Sequence, residues 1–220
     1  MVASKTDWYL EILLGLFMGL RKGEILGLKF SDICYEGNDI SGFYYLSIQR
    51  QITANPIVIK GSSSIESCKV IEKAPKSDAS YRKLRIPEEI YRELENRRER
   101  VEGMKGKRKD EYYDGDYVSA QPNGLPHSVS SMNIALTKMC SRNGLPHISV
   151  HSLRRMAATI MLEQGVALPK ISAFLGHTSI NTTFQYYTDI MDEKERIVEY
   201  MNHKFTDEDI RALGGGVNED

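Results

Sequence analysis

At 220 residues, 41% of them hydrophobic and 27% charged, the chain has the material for one domain with a substantial core, with or without appendages. The longest apolar run, residues 12–20, is too short to cross a bilayer and lacks the basic lead of a signal peptide, so the expectation is a cytoplasmic protein with no membrane partner. Three cysteines (Cys34, Cys68 and Cys140) without CxxC spacing imply neither a disulfide framework nor a zinc ribbon, and a net charge of −1 by itself argues against a nucleic-acid partner.

The distribution of the charge restores that partner as a possibility. Residues 189–220 hold ten acidic and four basic side chains, leaving the remainder at +5, and residues 82–109 alone hold eleven Lys or Arg against six Asp or Glu. A basic body with an acidic tail is compatible with phosphate binding, although a solvated helix face has the same composition.

In chain order, residues 6–20 read as a mostly buried helix capped at Thr6 or Asp7. The phrase GLRKGEILGLK over 19–29 ends it and starts another, with Arg21 at the break and Glu24 three residues on, placed to orient its neighbours. Residues 42–54 have β character, and 58–60 extend or return it. Residues 68–74 and 81–86 alternate around the turn chemistry of 75–80, which predicts a β-hairpin with Lys76 at its tip. Pro87 opens a helix with Glu88 and Glu89 in its first turn and Ile90, Leu94 and Val101 on its buried side. That helix is expected to stop at the glycines of 103–106, giving way to a polar loop up to 116 and a short extended piece at Tyr117 and Val118. Residues 128–140 form an amphipathic helix through Val129, Met132, Leu136 and Met139. Beyond 190, a charged helix over 192–202, a short one over 205–213 and a disordered end are expected. The fold class is α+β, mainly α-helical, with a small antiparallel sheet or hairpin over about residues 42–86.

The remaining stretch organises the chain. His151 and Arg154 are three apart and share a helix face; Ser149 or His151 begins that helix and Gly165 closes it. Pro169 sits in the first turn of the next, which stops at Gly176, and Thr178 or Ser179 caps a third running through Thr182, Thr183 and Tyr187. Imidazole, guanidinium and phenol groups are thereby gathered at helix ends, where anions bind well. Guanidinium groups hold non-bridging phosphate oxygens bidentately, imidazoles move protons near neutral pH, and a phenol becomes a nucleophile once its proton is taken. Singly, each of these residues has an ordinary reading as a helix pair or a core aromatic. Together they are harder to dismiss.

The ordered set Arg21, Lys76, His151, Arg154, His177 and tyrosine, in these local contexts, resembles the tyrosine recombinase (phage integrase) family, in particular integrases of Gram-positive phages and conjugative transposons. GLRKGEILGLKFSDI looks like the first-arginine box, with Glu24 as the supporting acid. PKSDASYRKLRIP looks like the hairpin that carries the catalytic lysine, HSLRRMAAT like the H-x-x-R box, and LGHTSINTTFQYYTDI like the final box. The resemblance covers roughly residues 6–200. Family members place the nucleophile nine or ten residues after the histidine, which gives Tyr186 or Tyr187; the following Thr188, Asp189 and Ile190 favour Tyr187, with Tyr186 the runner-up.

The resemblance implies a catalytic domain over 1–203 and an acidic tail over 204–220, acting on double-stranded DNA without metal or nucleotide cofactor. Tyr187 would form a 3′-phosphotyrosyl link, Arg21 and Arg154 would clamp the phosphate, and Lys76 would protonate the leaving 5′-oxygen. His151 would assist deprotonation of the phenol, and His177 would hydrogen-bond the phosphate. Arg82, Lys83 and Arg155 are assigned to DNA contact, Arg155 having a plain surface reading as well. The C-terminal helix would dock on a neighbouring protomer of a synaptic tetramer, with folding back on its own domain as the alternative. Relatives usually carry a core-binding domain before the first-arginine box, whereas here that box lies almost at the start, so the expectation is that this domain is absent, through truncation in preference to a stand-alone catalytic domain.

Ser152 stands where an acid is usual, and Arg155 and Asp189 where histidines are common, but no catalytic group is removed. Competing readings are a type IB topoisomerase-like strand relaxase, a catalytically silent DNA-binding module, and a metal site on His147 and His151, for which no third ligand is at hand.

Overall fold

The computed structural model describes residues 6–38, 41–58, 65–75, 77–185 and 188. Six helices surround a bundled core: α1 (Tyr9–Leu16), α2 (Lys22–Gly27), α3 (Glu88–Arg108), α4 (Ser131–Arg142), α5 (Val150–Glu163) and α6 (Leu168–Leu175), with a further helical segment over 180–185. Among them lie β1 (Ile33–Gly37), β2 (Gly42–Ile48), β3 (Gln51–Val58), β4 (Ile65–Lys73) and β5 (Arg82–Arg85). The mainly helical α+β class stands.

Apolar residues all round α1 bury it centrally, where Leu14, Met18 and Leu20 meet Ile25 of α2, Leu94 of α3, Met132 and Leu136 of α4 and Leu153 of α5. A second cluster of Ala158, Ile171 and Leu175 seats α6 on α5. Each large apolar side chain among these contributes about 1.5–3 kcal/mol through burial, which is why the two site-bearing helices hold their relative position.

The strands pair otherwise than alternation predicts. Instead of one hairpin over 68–86, β4 pairs antiparallel with β3, and β5 pairs with β2 in a three-stranded sheet of order β1-β2-β5. Alternation specifies that a segment is a strand but not its partner. Leu84 beside Leu46 buries β5 on the sheet with β2, so β4 and β5 belong to different sheets rather than to one hairpin. The β3–β4 pair lies on α2, where a Cβ at Gly23 would come 2.7 Å from the Ile52 carbonyl oxygen; only glycine permits that approach.

Helix α3 runs past its expected end and includes Gly103 and Gly106, both of which face open space. Two exposed helical glycines cost about 1 kcal/mol each relative to alanine. The packing of Val101 and Met104, together with Lys105 pairing to Glu102 and Asp114, carries the helix through them. The ends of α5 and α6 match the expected caps. Ser149 accepts from the Ser152 N–H at 3.1 Å, Gly165 has φ +75°, and Pro169 lies in the first turn of α6, which Gly176 ends at φ +66°. No described helix is long and apolar enough to cross a membrane.

Candidate active site

Arg21 is the N-cap of α2, so its backbone N–H and its side chain emerge together at the break after α1. Glu24, three residues on, accepts both: Arg21 N–H to Oε2 at 2.8 Å and Nη1 to Oε1 at 2.8 Å. The carboxylate is 3% exposed, and Arg82 reaches it from β5 with two further bonds, Nη1 to Oε1 at 3.1 Å and Nη2 to Oε2 at 3.0 Å. Burial opposes ionisation of Glu24, but hydrogen bonds and charge from Arg82, then from Arg21, outweigh it and hold the carboxyl below its usual range.

Arg154 projects from α5 into the protein, 2% exposed, and donates to two backbone carbonyls: Nη1 to Gly19 at 2.7 Å and Nη2 to Leu175 at 2.6 Å. The end of α6 thus collects three arginines. Arg82 Nε donates to Phe174 O at 2.8 Å, Arg154 to Leu175 O, and Arg21 Nη2 to Gly176 O at 2.5 Å. A helix C-terminus presents orphan carbonyls and partial negative charge, and guanidinium groups satisfy both. Gly176 is required twice over there. Its backbone is left-handed, and a Cβ would lie 2.8 Å from Ala79 O and 2.9 Å from Arg82 Nη1.

His177 follows directly and is pinned through Nδ1 to Thr183 Oγ1 at 2.8 Å, Thr183 being fully buried. Burial, then the charges of Arg154, Arg21 and Arg82, lower its pKa to about 4. His151, in the first turn of α5, is shifted down by burial and by Arg154, Arg155 and Arg21. Both rings are therefore driven toward the neutral form.

Arg21, His151, Arg154 and His177 line one open cleft of about 440 Å³, together with Lys22, Asn133, Ser149 and Thr182. Ser149, Val150 and His151 at the start of α5 border it, so the positive end of that helix adds to the guanidinium charge. Of the remaining sequence candidates, Lys76, Tyr186, Tyr187 and the C-terminal segments beyond 190 lie outside the described residues. Lys83 is exposed and ion-paired with Glu36, and Arg155 is exposed on α5. Arg82 does not face solvent: its side chain is 7% exposed and spent on Glu24, Ser80 O and Phe174 O, which makes it a brace of the site rather than a surface contact for DNA. Alternation carried that signal, because Arg82 shares a strand face with the buried Leu84.

Ser80, Asn133 and Thr183 had no distinguishing mark in the sequence. Ser80 accepts from Arg21 Nη1 at 3.4 Å and Asn133 Oδ1 accepts the Val150 N–H at 3.2 Å. Among the described residues no group of three His, Cys, Asp or Glu side chains is arranged to hold a metal, and His147 instead contacts Thr137 at 3.0 Å.

Two arginines and two histidines of lowered pKa line one cleft on a mainly helical α+β domain, an arrangement chemically suited to a phosphate-like anion. Residues 3–194 match the phage integrase family, and the chain belongs to it. It is 32% identical over 197 residues to a tyrosine recombinase XerC-like protein of Caldanaerobacter subterraneus subsp. tengcongensis, covering 88% of this chain and 48% of that protein. The fold is similar to the Tn1549 transposon integrase in complex with circular intermediate DNA (TM-score 0.62, 19% identity, 89% of this chain and 64% of that one). It is similar too to the XerA recombinase (TM-score 0.56, 21% identity, 84% and 52%). The chain therefore spans about half the length of the curated relative it matches.

Proposed function

We propose that the chain is the catalytic domain of a tyrosine-type site-specific recombinase, which cleaves and rejoins double-stranded DNA for integration and excision of a mobile element in the cytoplasm. The observation that carries this reading is the convergence of Arg21, His151, Arg154 and His177, brought together from three separate stretches of the chain, on one cleft. Arg21 and Arg154 stabilise the charge that builds on the non-bridging oxygens in the transition state. Tyr187 Oη attacks phosphorus, the P–O5′ bond breaks, and a 3′-phosphotyrosine results. The phenol proton passes to His151, whose lowered pKa keeps it neutral and able to accept, and Lys76 gives a proton to the departing 5′-oxygen. His177 hydrogen-bonds the phosphate. No metal or nucleotide cofactor enters these steps. Reversal by a 5′-hydroxyl from another duplex is recombination, performed by protomers of a synaptic tetramer linked through their C-terminal segments. Lys83 and Arg155 are the exposed cations assigned to the DNA backbone.

The test traps the intermediate. Wild type, Tyr186→Phe and Tyr187→Phe are incubated, with and without magnesium, on a nicked suicide duplex carrying the element's end sequence. A magnesium-independent adduct on a denaturing gel, lost only with Tyr187→Phe, is the expected result. Loss only with Tyr186→Phe moves the nucleophile by one residue. An adduct from neither wild type nor a form extended at its N-terminus by a relative's core-binding domain removes the strand-transfer reading in favour of a silent binding module.

A further inference from the structure

Arg82 is the least exposed of the three arginines at the end of α6 after Arg154, and it joins α2, the segment before β5 and the end of α6. Its guanidinium holds both oxygens of Glu24, the Phe174 carbonyl and the Ser80 carbonyl at 2.8–3.1 Å, using Nε, Nη1 and Nη2 together. Glu24 in turn holds Arg21 by backbone and side chain. Phe174 lies in the last turn of α6, three residues before His177. Ser80 ends the segment that follows Lys76 in the chain, and Ser77 in that segment accepts from Thr178 Oγ1 at 3.0 Å, next to His177. Gly176 has no side chain where Arg82 Nη1 passes, 2.9 Å from the place a Cβ would take.

We propose that Arg82 is a positioning residue for the phosphate clamp: it locks the Glu24–Arg21 pair to the C-terminus of α6, so that Arg21 and His177 stand at a fixed separation across the cleft. It contacts no substrate itself, and all its effect on the anion passes through Glu24 and the α6 carbonyls. A lysine in its place keeps one charge but cannot span a carboxylate and two carbonyls, since only the planar fork supplies donors in three directions. The role rests on the reading of the cleft as a phosphate site, and it concerns anion binding rather than cleavage.

The experiment follows the histidine ring signals of the whole chain by NMR while inorganic phosphate is added, in wild type, Arg82→Lys, Arg82→Gln, Glu24→Gln and the Glu24→Gln/Arg82→Lys double variant, with Arg92→Gln as a distant charge control. Expected are phosphate-dependent shifts of His151 and His177 in wild type, an affinity about tenfold weaker in a normally folded Arg82→Lys, and a double variant no weaker than the worse single one. Arg92→Gln, on an exposed face of α3, stays within twofold of wild type. Wild-type affinity in folded Arg82→Lys, or losses that multiply in the double variant, overturns the proposal. So does unfolding of both Arg82 variants, which assigns the residue a purely structural role. If wild type shows no phosphate-dependent shift, the proposal falls together with the phosphate reading. If phosphate binds in the expected pattern but the suicide duplex traps no adduct with wild type or its N-terminally extended form, strand transfer falls and Arg82 keeps its role.

Discussion

Arg154 Nη2 meets the Leu175 carbonyl at 2.6 Å, so the arginine of the H-x-x-R box is bonded to the last residue of the helix that delivers His177. Its other arm holds Gly19 O, at the turn that delivers Arg21. One buried side chain thereby fixes both neighbours of the cleft. These two bonds fix the orientation of a guanidinium that lines the cleft.

Arg154→Lys tests that dual role. An ammonium on a flexible stem cannot bond both carbonyls, and in a site 2% exposed the carbonyl left behind is unsatisfied. Unfolding in urea should register a loss of about 3 kcal/mol, as for a buried polar group stripped of its partner. Adduct formation on the suicide duplex should fall by about 10²-fold or more, as for removal of one oxyanion donor. Unchanged stability with unchanged adduct would show that neither carbonyl bond matters.

The glycine at the end of α6 gives a sharper contrast. Gly165 and Gly176 both close helices with φ near +70°, but a Cβ at Gly165 meets nothing within 4 Å whereas one at Gly176 meets Ala79 O and Arg82 Nη1. Gly165→Ala should therefore lose only the left-handed backbone preference, about 1 kcal/mol. Gly176→Ala should lose at least twice as much, and also weaken adduct formation, because the methyl collides with the Ala79 carbonyl and with Arg82, which braces the Glu24–Arg21 pair. Equal melting temperatures for the two variants would contradict the close packing at Gly176.

The local signals of this chain were legible because they rest on short-range chemistry. Ser149, Gly165, Pro169 and Gly176 each act within one turn of backbone, and the three-residue spacing of His151 and Arg154 needs only the helix itself. Strand partnership was not legible, because 68–74 and 81–86 alternate equally well in a hairpin or in two sheets, and the choice falls to the burial of Leu84 beside Leu46. The run of α3 through Gly103 and Gly106 depends on tertiary pairing that composition does not display. Arg82 is instructive in another way. It is assigned to DNA contact alongside the resemblance, while the two-residue period already sets it beside Leu84 on the inner face.

The depressed histidines make stability depend on pH with a definite sign. His177 titrates near 4 in the folded chain against about 6.5 when unfolded, so the unfolded state binds the extra proton between those values. Stability is full above about pH 6.5 and is lost as pH falls toward 4. His151 and His127, both also shifted down by burial, act in the same direction. Melting temperature followed from about pH 7.5 to 5 should fall steadily below about 6.5, and His177→Gln should flatten that slope. A wild-type melting temperature independent of pH across this window would mean that His177 is not held neutral.

Thr183 offers the test of how His177 is held. Its hydroxyl meets Nδ1 at 2.8 Å and the residue is fully buried, so water cannot replace the contact. Thr183→Val conserves shape but removes the hydroxyl, leaving a buried ring nitrogen without that partner, at a cost of about 1–3 kcal/mol in stability. The ring then loses its fixed orientation toward the cleft, and adduct formation should drop about tenfold, the equivalent of roughly 1.4 kcal/mol in the barrier. Thr183→Ser keeps the hydroxyl and gives up only a methyl group. It should lose comparable packing stability, about 1 kcal/mol, yet cleave at nearly the wild-type rate. Measuring both variants by thermal unfolding and by single-turnover adduct formation separates the two contributions: if Ser slows the reaction and Val does not, the buried methyl rather than the hydrogen bond is what places His177.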